Sequence, residues 1–162
     1  DLLNDVSGFN YDQNSIRISR KKNVSKVLHH MQGTPNTMQI KPNYKNVLLD
    51  IYDFFEENIK NKFSDRKIIL DPGIGFGKTL KHNLTLISKI SLFHSLGLPI
   101  LIGTSRKRFI NQISGEYDTV DRTGGTLASI LFLLSQGVQI FRVHNVKEIK
   151  QGILVFEKIN EK

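Results

Sequence analysis

The sequence contains no cysteine in 162 residues. That absence excludes a disulfide scaffold, a thiol nucleophile, an iron–sulfur centre and a cysteine-ligated zinc, and it makes a reducing, cytoplasmic setting the expectation. Long apolar runs are missing too. Nowhere do the roughly 20 consecutive apolar residues needed to cross a bilayer occur, and no basic-then-apolar leader opens the sequence, so a soluble protein with no membrane partner is expected. A zinc-finger histidine pair, an RNP-like aromatic string and an uninterrupted basic block are also lacking. Nucleic acid is therefore not the expected partner.

What is present is a surplus of cations: 23 Lys and Arg against 15 Asp and Glu, a formal charge of +8 with neutral histidines. Such a surplus favours anionic partners, phosphate esters among them. With 39% apolar residues the chain can build one core without cross-links, and no low-complexity or Pro/Ser linker divides it. Residues 1–162 are expected to form a single domain.

The apolar pattern alternates between short β-branched runs and longer stretches of helical period, the signature of repeated strand-helix units. Strands are predicted over residues 2–6, 26–31, 67–70, 99–102 and 139–143. Helices are predicted over 44–63, from 83 to a stop at Gly97, from an N-cap at Asp121 to Gly137, and after Asn145, whose side chain and Glu148 would form a capping box. The segment 11–23 is dominated by Ser, Arg, Lys and Asn, and a helix and a loop both fit it. Five units in 162 residues average about 32 each, close to the ~31 of an eight-unit (β/α)8 barrel. Five cannot close that barrel, and the sequence opens inside a strand. Either three further units precede these, or the sheet is an open, doubly wound one.

In both architectures chemistry gathers at the carboxyl ends of the strands. Asp71 follows the run of residues 67–70, where Pro72 stops the strand; its carboxylate suits a pair of ring N–H donors or a metal, and also the humbler task of capping its own loop. The following GIGFGKT segment satisfies neither the P-loop nor the dinucleotide spacing. Its glycines still permit close approach to a flat ligand, with Phe76 as an apolar wall. Arg106, Lys107 and Arg108 read either as a solvated surface or as an anion site. Arg142 and His144 are two apart on a predicted strand and so share one side of it, ahead of a helix N-terminus, a credible seat for a phosphate-like group. A buried, hydrogen-bonded histidine is the plainer reading of His144, and packing is the plainer one of His30 and Met31.

Five segments, LNDVSG at 3–8, HMQGTP at 30–35, LDPGIGFGK at 70–78, GTSRK at 103–107 and RVH at 142–144, occur in the order seen in dihydropteroate synthases. The sequence resembles that family over nearly its whole length. The resemblance implies an α/β fold, a TIM (β/α)8 barrel of the dihydropteroate synthase type represented by about its last five units. It implies a transferase of folate biosynthesis, active as the complete barrel, in which p-aminobenzoate displaces pyrophosphate from a dihydropterin pyrophosphate, with sulfonamides as competitors and a homodimer as the assembly. A pterin- or folate-binding module without synthase activity, and a fragment inactive without its preceding units, are the alternative readings. Carried over, Asn4 and Asp71 would hydrogen-bond the pterin edge, Met31 and Gly75 would line its pocket, and Phe76 would stand beside the aminobenzoate. Lys107 would contact the pterin, and Arg142 and His144 would anchor the pyrophosphate. Lys107, Arg142 and His144 are thus the expected catalytic residues. Mg2+ is the implied cofactor, its protein ligand expected outside this sequence. Three positions depart from the family: Asn145 where Asp is common, His29 where Met is frequent, and Arg108 where some members carry a small hydroxyl residue.

Overall fold

The computed structural model describes residues 2–21, 23–63 and 67–161. Strand β1 is Leu2–Asp5, followed by α1 (Gln13–Lys21), β2 (Ser25–His29), α2 (Val47–Lys62), β3 (Ile68–Asp71) and α3 (Leu80–Ser88). A 3-10 segment, Ile90–Leu96, leads to β4 (Leu101–Ile102), then come α4 (Arg108–Ser114), α5 (Thr123–Ser135), β5 (Ile140–Phe141) and α6 (Val146–Asn160).

All pairings are parallel. Strand β2 lies between β1 and β3, with Leu3 opposite Lys26 and Lys26 opposite Ile68. Leu101 of β4 pairs with Ile140 of β5, and a bridge from Leu70 to Ile100 joins the two groups. Each strand therefore neighbours its successor in sequence. A doubly wound sheet reverses its direction of growth at one point; here no reversal occurs, and the order is that of a barrel wall.

Because helices cover a parallel sheet, its inner strands are buried on both faces and lose simple alternation. Lys26, Val27, Leu28 and His29 of β2 are all buried. Helix α2 buries Val47, Ile51, Phe55 and Asn58 along one stripe. Phe55 meets Phe93 edge to face at 5.6 Å, inside a core that also holds Leu70, Ile74, Leu86 and Ile100. Complete burial of such side chains contributes roughly 1.5–3 kcal/mol each.

Several boundaries depart from expectation for local reasons. Helix α2 begins at Val47 because Asn46 caps it, accepting from the N–H groups of Leu48 and Leu49. Residues 83–97 do not form one helix: Thr79 and His82 make a capping box that starts α3 at Leu80, and the 3-10 segment takes over before Gly97 ends it at φ +67°. The segment in doubt is helical as α1, with Ser19 buried and Ile16 packed on the core; residue 22 lies outside the described residues. Asp121 is not a cap, since α5 starts at Thr123 with Arg122 in the cap position. The expected capping box at α6 is absent too: Asn145 is the N-cap residue but makes no side-chain cap bond, because its Oδ1 accepts from Arg106 instead. Helix α4 has no counterpart among the predicted elements, being too short to display a periodic stripe.

Candidate active site

Asp71 ends β3, and Pro72 can donate nothing to extend the ladder. Its carboxylate is 1% exposed, with a donor on each oxygen. Oδ1 accepts the Gly73 N–H at 2.8 Å, and Oδ2 accepts from Arg142 Nη2 at 2.9 Å. The loop-capping role and the site role thus fall to separate oxygens of one residue. The other arm of Arg142, Nη1, donates to Asn4 Oδ1 at 2.9 Å. Residues from β1, β3 and the end of β5 therefore meet at one rim.

The loop after Asp71 is built on close approach. Gly73 sits at φ +69°, and a Cβ there would lie 1.9 Å from the His30 carbonyl oxygen. Gly75, at φ +83°, leaves room for the Lys107 stem, whose Cδ would be 3.1 Å from such a Cβ. Lys107 runs through this gap, donates to the Ile74 carbonyl and places Nζ 4.6 Å from the centre of the Phe76 ring. Burial pulls its ammonium down to about 8, with Asp71 opposing the shift and Arg142 adding to it. A cavity of about 460 Å³ opens beside this pair, lined by Gly75, Phe76, Lys78, Asn83, Lys107 and Arg108 among others. A flat apolar face and three cations suit an aromatic anion.

Lys78 is a site residue that sequence reasoning missed. It is 4% exposed, and its Nζ bonds to the Phe76 carbonyl at 2.9 Å and to His30 Nδ1 at 3.1 Å. Burial brings the Lys78 ammonium down to about 7 and holds His30 down to about 2, so His30 accepts as a neutral ring. His30 is indeed a packed, hydrogen-bonded histidine. Met31 follows it just beyond β2, half-buried.

Arg142 and His144 do not share a strand face, since β5 ends at Phe141 and both lie on the loop beyond. Arg142 turns to Asn4 and Asp71, whereas His144 turns to Ser105. The Ser105 Oγ accepts the His144 backbone N–H at 3.2 Å, and the same oxygen is 2.9 Å from His144 Nδ1. These two contacts orient the His144 ring against Ser105. His144 is solvent-exposed, so the buried-histidine reading fails. Arg106, at φ +59°, binds the two loops together, donating Nε and Nη2 to Asn145 Oδ1 at 3.2 and 2.8 Å. Of the three adjacent cations, Arg106 and Lys107 are half-buried and Arg108 is exposed.

No group of three His, Asp or Glu side chains that could hold a metal occurs among the described residues. The described residues do not by themselves fit a Mg2+ site.

A family model described as a pterin binding enzyme matches residues 1–144. The dihydropteroate synthase of Neisseria meningitidis serogroup B is 37% identical over 167 residues, covering 98% of this chain and 58% of that protein. The dihydropteroate synthase of Thermus thermophilus, solved in complex with 6HMPPP, superposes with a TM-score of 0.92 at 36% identity, over 99% of this chain and 64% of the other. The same enzyme in complex with 4-aminobenzoate gives a TM-score of 0.92 at 35% identity, over 99% and 66%. The chain thus spans little more than half the length of the Neisseria enzyme. Family match, strand order and superposition agree: this chain belongs to the pterin-binding enzymes, and its fold is part of a (β/α)8 barrel of the dihydropteroate synthase type.

Proposed function

We propose that this chain supplies the pterin and pyrophosphate contacts of a dihydropteroate synthase, which condenses a 6-hydroxymethyl-7,8-dihydropterin pyrophosphate with p-aminobenzoate, giving 7,8-dihydropteroate and pyrophosphate for folate synthesis. The observation that carries this reading is the chain Asn4–Arg142–Asp71, which holds a buried carboxylate and an amide at one rim beside the Lys107–Phe76 pair.

Each group has a task in that reaction. Asp71 and Asn4 accept and donate along the edge of the pterin ring, with Met31 and Gly75 lining its pocket. Lys107 lies between the pterin and the aminobenzoate, its proton affinity lowered to about 8 so that it stays largely charged at pH 7, and Phe76 offers the aryl amine a face. Arg142 uses two of its five N–H donors on Asn4 and Asp71, leaving the rest for a diphosphate oxygen. His144 offers its exposed ring, and the first-turn N–H groups of α6 are not capped by Asn145, so they add to the anion's seat. As the carbon–oxygen bond to pyrophosphate breaks, charge grows on the leaving oxygen, and donors already in place stabilise that state more than the ground state. The aryl amine attacks as a neutral nucleophile and loses its proton to solvent. Mg2+ belongs to the proposal only as a companion of the substrate's diphosphate, with no residue here assigned to it.

A cytoplasmic location, homodimer formation and competition by sulfonamides complete the proposal on the strength of the family. No helix among the described residues is long and apolar enough to cross a membrane. Calorimetric titration with the dihydropterin pyrophosphate, against the pterin without phosphate, tests the reading. A clear preference for the phosphorylated ligand is expected, and equal affinities would overturn the assignment of Arg142 and His144.

A further inference from the structure

His29 closes β2 and takes no part in the reaction just described. Its ring is fully buried, with Nδ1 3.0 Å from the Val6 carbonyl oxygen. A carbonyl only accepts, so Nδ1 carries the hydrogen, and in the neutral ring Nε2 is left with a lone pair. That Nε2 has no hydrogen-bond partner among the described residues, and it faces Asp71 Oδ2 at 3.9 Å. Two acceptors therefore confront each other where neither residue has solvent to relieve them. One proton between them converts the conflict into a hydrogen bond.

We propose that His29 and Asp71 form a single proton-holding pair, and that His29 is thereby a positioning residue setting the pH below which Asp71 releases Arg142 and the N–H edge of the heterocycle. The proton comes from solvent and lies on the Nε2–Oδ2 axis, as a carboxylic acid donating to the ring or as an imidazolium donating to the carboxylate. Either form weakens the hold of Arg142 on that oxygen: the acid is no longer an anion, and the imidazolium sets a second cation against the oxygen Arg142 holds. The surroundings decide how late the proton arrives. Burial, Lys78 and Lys107 all oppose a charge on His29, and Asp71 and the Val6 carbonyl favour it. The Phe76 edge seals the ring at 4.5 Å, His30 stays neutral beside it, and Arg142 faces the carboxylate. The link to ligand release rests on the proposed pterin site; the pairing itself does not.

The experiment is an NMR titration of the chain labelled with 15N-histidine, alongside binding of 6-hydroxymethylpterin at each pH. At neutral pH, His29 is expected as the Nδ1–H form. On acidification its ring and the Asp71 carboxyl should change in one common step, and Asp71→Asn should move the ring's step to lower pH. Pterin affinity should fall with that step, by about tenfold per pH unit beyond it. In His29→Met, or in His29→Gln should Met fail to fold, the fall should begin at lower pH. A ring that titrates identically in Asp71→Asn, or that takes up no proton before acid unfolding, overturns the pair. An unchanged pH dependence of affinity in both His29 variants overturns the positioning role. Should the pterin bind at no pH, the proposed function fails while the ring titration still decides the pairing.

Discussion

Arg142 and Asn4 are 138 residues apart in sequence, yet Nη1 of one donates to Oδ1 of the other at 2.9 Å. The last strand of the wall thus reaches to the first through a single guanidinium, which also grips Asp71 midway. Of that ion pair the carboxylate is 1% exposed and the guanidinium 40%. Removing either partner therefore has unequal effects.

Arg142→Ala leaves the buried Asp71 carboxylate with the Gly73 N–H as its named donor and removes the cation from the rim. Charge-assisted contacts contribute about 1.5–3 kcal/mol, so affinity for the dihydropterin pyrophosphate should fall about ten- to a hundredfold. Affinity for the same pterin without phosphate should fall less. Calorimetry with the two ligands measures the difference.

Ser105→Ala removes the hydroxyl that orients His144 without emptying any core position. The imidazole then loses its partner at Nδ1. A loss of about 1 kcal/mol, or roughly fivefold in affinity for the phosphorylated ligand, is expected, with a denaturation midpoint near that of the parent. Ring 15N shifts of His144 should differ from those of the parent.

Lys78 binds protons less tightly in the fold, at about 7, than its ordinary value of 10.5. Between those values the unfolded chain carries more protons than the folded one, so stability rises with pH across that window, by at most about 1.4 kcal/mol per unit for one group. Lys107 adds to the rise from about pH 8 upward. Urea denaturation at pH 7 and pH 10 should show the increase, and Lys78→Met should flatten its lower part.

Gly73→Ala forces a methyl group to within 1.9 Å of the His30 carbonyl oxygen at a positive φ, so the loop must move. A loss of roughly 3 kcal/mol or more is expected. Gly115→Ala, also at positive φ but with open space around its Cβ, should cost only about 1 kcal/mol. Denaturation of the two variants separates crowding from backbone strain.

The strands were legible because β-branched runs recur at regular spacing, and their carboxyl ends pointed to Asn4, Asp71, Lys107 and Arg142. Their individual partners were not. Position i, i+2 logic placed Arg142 beside His144, but β5 stops at Phe141, and past a strand end the alternation rule has no force. The Asn145 cap failed for a similar reason: local sequence announced a capping box, and a guanidinium from a distant loop claimed the side chain. Lys78 and His29 escaped because nothing in a linear sequence marks a buried lysine or an unpaired ring nitrogen. His29 did stand out as a departure from the family's usual Met, and the structure gives that departure a neighbour in Asp71.

The strand order has a consequence for assembly of the chain. Since every strand lies beside its successor, no partner ever has to insert between two that are already zipped together. Loop closure is limited to one crossover at a time, which keeps the search short and lets the wall grow by accretion as each helix docks behind it.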